Sequence, residues 1–466
     1  QHWFFEHQLP EPHHWNQASM LEVRRPIEPA VLEKAWQQVV SRHDALRLRF
    51  SNENGKWQQL CAPSDELAGL TVKSFAGVPE NEQETALNTF AADFQKSLDL
   101  SAGPIARLAF IDFGAARLPR LLFAVHHLAV DVVSWGVMLE ELQLAWEQIG
   151  RDEPVSLPAK TTSFVTWARR LEKHAQSEPL RNELSYWTTA LDRWACRVPV
   201  DQPQGINTQE SARIVWVSLD EERTRTLLQE VPKVYRTMIN DVLLTAMVQA
   251  FCDWTQSRSL LIDLENHGRE DIFDDVDLSR TVGWFTCIFP LLLEAGDASR
   301  PEVILKSVKE QIRSVPSGGI GYGLLRYLST DAATRDALRR LPQAEVCFNY
   351  LGRAGQLADD NGPFAPKGSP GQTRGGAGRR RYLIEVDAGI NNNQLRAAWT
   401  YSENLHSRTS IERFANGFIT ALEAIIDHCS SPDAGGFTPS DFSIPNLSQR
   451  ELDRLIAELG GGGVKG

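Results

Sequence analysis

The chain has 466 residues, 42% of them hydrophobic with 13 Trp and 20 Phe, which exceeds one ordinary core and suits two lobes with a cleft between them. A charged fraction of 23% with that much apolar material excludes a disordered chain, and a formal net charge of -12 argues against nucleic acid or an anionic membrane as partner. No apolar run approaches the roughly 20 residues a bilayer span needs, so a cytoplasmic protein is expected. The six cysteines are scattered without a CxxC pair, so neither disulfides nor a structural metal are expected. An opening on Gln1 inside an aromatic segment and a closing GGGGVKG suit a piece of a longer polypeptide.

In chain order, residues 30–43 set Leu32, Trp36, Val39 and Val40 at helical spacing, and ALRLRF (45–50) alternates as a strand would. Strands are predicted over 105–113 and 120–127, separated by a turn-like GAARLP. Trp135, Leu139, Leu142 and Trp146 then mark one face of a helix, which leaves HLAVDV as a loop between strand and helix. The Pro-, Gly- and Asn-rich stretch 198–211 divides an N-terminal lobe (1–197) from a C-terminal lobe (212–459), with a Gly-rich tail at 460–466. The second lobe repeats the mixture, with strand 212–219, helix 239–254 and strand 260–265, so the fold class is α+β, or mixed α/β. Residues 366–381, rich in Gly and Arg, read as a mobile surface excursion with little chemistry. Capping boxes are expected at Thr409–Glu412 and Ser448–Glu451.

The sharpest feature is HHLAVDVVSW (126–135), where two histidines end an apolar strand and an aspartate follows. Strand alternation sends His126 and His127 to opposite faces, so one is chemical and the other structural. Histidine suits proton transfer because its ordinary pKa lies near neutrality. A second pair, His13 and His14, lies in a loop-like stretch with no following aspartate and carries no such implication. In LLIDLE (260–265), Leu260, Ile262 and Leu264 share one face, which leaves Asp263 and Glu265 on the other.

HHxxxDxxS is the signature of the condensation superfamily, which shares the two-lobed, pseudo-dimeric fold of chloramphenicol acetyltransferase. The added Trp135, DLSRTVGWFTCIFP (277–290) and EVCFNYLGR (345–353) resemble the set that marks epimerization domains of nonribosomal peptide synthetases. QHWFFE (1–6), LENHGRED (264–271), GYGLLRYL (321–328) and FTPSDF (437–442) extend the resemblance nearly end to end.

The resemblance implies inversion of Cα in an aminoacyl or peptidyl thioester, with His127 and Glu265 as proton-transfer groups and an enolate-like intermediate between them. Which of the two deprotonates the L-epimer stays open. His126, Ser134 and Trp135 are expected to support the site, and Asp131 to pair with Arg47 of SRHDALRLRF (41–50). Asn349, Tyr350, Trp284 and Thr286 are expected to meet the substrate or its 4'-phosphopantetheine arm. Val132 stands where the family pattern has Gly, adding bulk near the arm's expected path. No cofactor of its own and no metal are implied. The partners implied are an upstream peptidyl carrier protein domain and a downstream condensation domain, around a monomer within a multidomain synthetase. The rival readings are a peptide-forming condensation domain, an idle carrier-docking module and an acyl-CoA-dependent acetyltransferase.

Overall fold

The structure is a computed structural model that describes all residues except 65–68, 116, 192–195, 297–299, 354–361, 445–446 and 461–466. Most of the expected tail therefore lies outside the described residues. Strands are numbered β1 (Asn16–Val23), β2 (Leu48–Glu53), β3 (Lys56–Cys61), β4 (Thr71–Ser74), β5 (Ala106–Asp112), β6 (Arg120–His126), β7 (Ala212–Ser218), β8 (Ser259–Asn266), β9 (Cys287–Glu294), β10 (Val346–Tyr350), β11 (Phe364–Pro366), β12 (Ile384–Asn391) and β13 (Gln394–Ser402). They form a five-stranded sheet in the order β11-β1-β6-β5-β4, a six-stranded sheet in the order β7-β13-β12-β10-β8-β9, and a β2–β3 hairpin.

The first four helices, α1 (His2–Glu6), α2 (Pro29–Arg42), α3 (Glu80–Gln95) and α4 (Val132–Gly150), belong to the first half. β6 is buried along its whole length because both faces of its sheet are covered. Leu121, Phe123 and Val125 join the main core with Trp36 of α2 and Trp135 of α4, whereas Leu122 and Ala124 pack with Leu87, Ala91 and Phe94 of α3. In the second sheet, Leu260, Ile262 and Leu264 face the same core as helices Ile239–Thr255 and Arg408–Cys429. β10 runs parallel to both β8 and β12, and the other neighbours in that sheet are antiparallel.

Several expectations change in detail. The strand predicted over 45–50 begins as a turn, because Asp44–Arg47 winds into a short 3-10 helix closed by an Asp44–Arg47 pair. The loop predicted at HLAVDV is shorter, since His127–Ala129 forms a 3-10 turn and Val132 opens α4. The capping box at Ser448–Glu451 is present, whereas Ser407 rather than Thr409 caps the helix at Arg408. One strand crosses over: β11, from the second half of the sequence, pairs antiparallel with the outer edge of β1.

The Arg-rich segment that follows β11 is a surface excursion only in part: 366–369 are exposed, but later residues pack against the first lobe and the second sheet. The Thr373 carbonyl accepts from the Asn16 backbone N–H, the His14 carbonyl accepts from that of Gly375, and Arg380 is buried against Glu385 at 2.7 Å. Arg381 reaches Asp263 at 3.4 Å. Glycines here give the backbone room while Arg374, Arg380 and Arg381 reach acidic partners and Arg379 stays exposed, so composition alone misled.

Candidate active site

His127 follows directly on β6 and opens the 3-10 turn His127–Ala129. Its ring is half-buried and lies 4.8 Å from the Trp284 ring. Nδ1 is 3.0 Å from the Val130 carbonyl and Nε2 is 3.1 Å from Gln17 Nε2. Burial lowers its pKa to about 4, and the positive charge of Arg374 adds to that shift against the weaker opposing pull of Asp131. His126 is fully buried, with its ring edge-on to Phe4 and Nε2 2.8 Å from the Pro12 carbonyl. Burial takes its pKa to about 3.

The expected Asp131–Arg47 pair is absent. Arg47 spends its donors nearby, on the carbonyls of Val40, Ser41 and Ala62 and on Asp44 at 3.1 Å, where it fastens the turn after α2 to the β2–β3 hairpin. Asp131 pairs instead with Arg269, whose Nη2 lies 3.0 and 3.1 Å from its two carboxylate oxygens. Arg269 also donates to the carbonyls of Leu278 and Thr281 and stacks over the Phe285 ring. Asp131 caps α4 by accepting from the Ser134 backbone N–H at 2.8 Å, so one carboxylate fixes the histidine loop, the helix start and the 269–285 segment together.

The Ser134 hydroxyl sits 2.7 Å from Asp131 and accepts from the Gly283 N–H at 3.1 Å. Gly283 is required there, since a Cβ would lie 2.3 Å from the Phe164 ring. Trp135 is buried against Phe123, and its indole N–H donates to Gln17 at 2.6 Å. Val132 takes the first helical position of α4 and is half-buried. Thr286, also half-buried, lies between Trp284 and β9.

The second sheet gathers polar side chains on one face. Register aligns Asp263 of β8 with Cys347 of β10 and Glu385 of β12, and one alternation further along it aligns Asn349 with Asp387. Glu265 occupies the same face of β8, two residues beyond Asp263, with the Cys347 thiol 3.7 Å from its carboxylate. Asp263 is held by Tyr382 at 2.7 Å and by Arg381. Asn349 bonds Asp387, and Tyr350 is half-buried at the end of β10.

Electrostatics separates these carboxyls. Burial, reinforced by Asp387 and only partly offset by Arg374, raises Glu265 to about 8. Burial and the Glu385 charge raise Asp387 to about 6. Burial opposes ionisation of Glu385 as well, but Arg374 and Arg380 overcome it and hold that carboxyl below its ordinary range. Arg374, stacked 4.3 Å over the Trp15 ring and 3.5 Å from Glu385, is thus the cation whose field reaches both His127 and Glu265.

The Glu265 shift has a consequence for stability. Its folded value lies above the ordinary 4.5, so between those two values the folded chain holds a proton that the unfolded chain has released. Stability from this group therefore falls as pH rises through that window. Glu265→Gln is expected to melt higher than the parent, with a gap that widens from about pH 5 to about pH 8 in calorimetry. Parallel melting curves would count against the shift.

Gln17, Arg269, Arg374, Glu385 and Asp387 are site residues that sequence reasoning passed over as such. The alternation in IEVDAGIN (384–391), with two acids two residues apart, and the Arg within HGRE were legible signals, whereas Gln17 carried none.

The Condensation domain family model matches residues 1–447. One of the linear gramicidin synthase proteins of Brevibacillus parabrevis is 43% identical over 464 residues, covering 98% of this chain and 9% of that protein. Chondramide synthase cmdD of Chondromyces crocatus is 38% identical and likewise covers 99% of this chain, so the chain spans about a tenth of such relatives, 12% in that case. The solved epimerization domain from the third module of tyrocidine synthetase B is 32% identical with a TM-score of 0.84, over 92% of this chain and 95% of that one. The starter condensation domain of rhizomide synthetase RzmA, at 14% identity and a TM-score of 0.66 over 92% of this chain and 95% of that one, shares the fold. A mixed α/β architecture of chloramphenicol acetyltransferase type, with the family-model match over residues 1–447, defines a condensation-superfamily enzyme domain. The chain belongs to the Condensation domain family.

Proposed function

We propose that the chain is an epimerization domain of a nonribosomal peptide synthetase, equilibrating the L and D forms at Cα of an aminoacyl or peptidyl thioester. The observation that carries this reading is the opposite tuning of two proton-transfer groups around Arg374. Glu265 is a carboxylic acid at neutral pH, and His127 is a neutral imidazole. For whichever epimer presents its Cα–H to the imidazole, His127 takes that proton and an enolate-like intermediate forms. The Glu265 O–H then delivers a proton to the other face of Cα. The reverse turnover starts from the swapped protonation states. The likeness to the solved epimerization domain, at 32% identity, supports the same reading.

On this reading the substrate arrives on the 4'-phosphopantetheine arm of an upstream peptidyl carrier protein domain and leaves to a downstream condensation domain. The chain acts as a monomeric section of a cytoplasmic multidomain synthetase, with lobes at 1–197 and 212–459 joined by 198–211, and needs no cofactor of its own. Asn349, Tyr350, Trp284 and Thr286 line the path of the arm, beside Val132. Among the described residues no helix is long and apolar enough to cross a membrane.

The test loads an L-aminoacyl or L-peptidyl group onto the upstream carrier domain and follows the D/L ratio and deuterium uptake at Cα in D₂O. Exchange with approach to an L/D mixture is expected. Peptide-bond formation without exchange would instead favour a condensation domain.

A further inference from the structure

The Trp135 indole, the Gln17 amide and the His127 imidazole form a chain of hydrogen bonds that ends on a backbone carbonyl. Trp135 Nε1 is 2.6 Å from Gln17 Oε1, Gln17 Nε2 is 3.1 Å from His127 Nε2, and His127 Nδ1 is 3.0 Å from the Val130 oxygen. Both ends of the chain are chemically one-sided: an indole N–H only donates and a carbonyl only accepts. Every direction in between follows from that. Gln17 Oε1 must accept from Trp135, which turns its NH₂ toward the imidazole. Nδ1 must carry the ring hydrogen to reach Val130. Nε2 is then the lone pair that accepts from Gln17, and no other orientation of amide and ring satisfies all three contacts.

Protonation at Nε2 breaks this chain. It sets an N–H against the Gln17 N–H, and turning the amide over to offer Oε1 would set its NH₂ against the Trp135 indole N–H. Either arrangement forfeits a hydrogen bond in a partly buried site. The other groups facing His127 are known. Arg374 acts in the same sense and Asp131 in the opposite one, while His126 carries bonds to Pro12 and Leu128 and the Trp284 ring packs against the imidazole.

We propose that Trp135, acting through Gln17, is a positioning residue that fixes His127 as the neutral Nδ1–H tautomer, so that the imidazole is unprotonated at the start of the turnover in which it acts as the base. The inference deepens the reading of His127 as a proton-transfer group and rests on it. It gives the tryptophan of HHLAVDVVSW a task that packing alone does not. Gln17 sits on β1 opposite Val125 of β6, and the β1–β6 pairing holds its amide beside the histidine.

The experiment is NMR of histidine-labelled protein, in which ring nitrogen shifts report tautomer and protonation, with His127→Asn identifying the resonance. The parent is expected to show Nδ1–H and to stay neutral through the neutral range. Trp135→Phe frees the amide to turn over, and Gln17→Glu places a permanent acceptor at Nε2. Each should raise the pH at which His127 titrates by about one unit or more, because each supplies a hydrogen bond to the charged ring. The acid limb of the deuterium-exchange pH profile should move up with it. A packing role for Trp135 would lower melting temperature without moving either. An Nε2–H tautomer in the parent, or an unmoved titration in both folded variants, would overturn the proposal. Tautomer and titration are read without turnover, so an absence of exchange in the parent counts against the epimerase reading alone.

Discussion

Glu265→Gln and His127→Ala are each expected to lower Cα deuterium exchange by about 10²–10⁴-fold, the usual contribution of one general acid or base. The glutamine keeps the shape of the side chain beside Cys347 and removes the transferable proton, so a folded, inactive protein is the outcome. The alanine removes the imidazole and its bonds to Gln17 and Val130. If both groups serve one proton-in, proton-out cycle, as proposed, the double variant should fall little below the worse single one. Exchange rates for carrier-loaded substrate in D₂O, read beside circular dichroism, check this. Near-normal exchange in both single variants would remove these residues from the mechanism.

Asp131→Ala is expected to cost about 3–5 kcal/mol of stability, since it strands a buried guanidinium. Arg269 is 9% exposed at its side chain and Asp131 6%, and the lost N-cap of α4 adds to the penalty. Removing both charges should be gentler, so Asp131→Ala combined with Arg269→Met is expected to recover part of the loss. Urea denaturation of the single and double variants measures the coupling. Arg47→Met should show no such coupling with Asp131→Ala, because its partners are Asp44 and local carbonyls. A strong Arg47–Asp131 coupling, or an unchanged midpoint in Asp131→Ala, would contradict the assignment.

What the sequence allowed and withheld follows from the range of the forces involved. β6 and α4 were legible because burial imprints a local pattern: LLFAV (121–125) is apolar throughout, and Trp135, Leu139, Leu142 and Trp146 recur with the helical period. The alternation of β8 likewise separated Glu265 from the core-facing leucines. The partner of Asp131 was not legible, because Arg47 and Arg269 are equally good guanidinium donors and only the tertiary path, 138 residues long for Arg269, chooses between them. Arg374 was hidden for the opposite reason, since glycine around it resembles a free loop whether the backbone is exposed or pressed against β1. Gln17 is a polar residue on a strand, and only its neighbours distinguish it.

The crossing of β11 onto the edge of β1 bears on how the molecule comes apart. A cut within 198–211 would divide the sequence in a stretch without helix or strand, yet it would take the outer strand of the first sheet, and Arg374, away with the second fragment. The first fragment would expose a bare strand edge. Its histidine would lose the cation that helps keep it uncharged. Covalent order and structural order thus disagree here, with one strand of the first sheet and the cation beside its histidine both supplied from the later part of the chain.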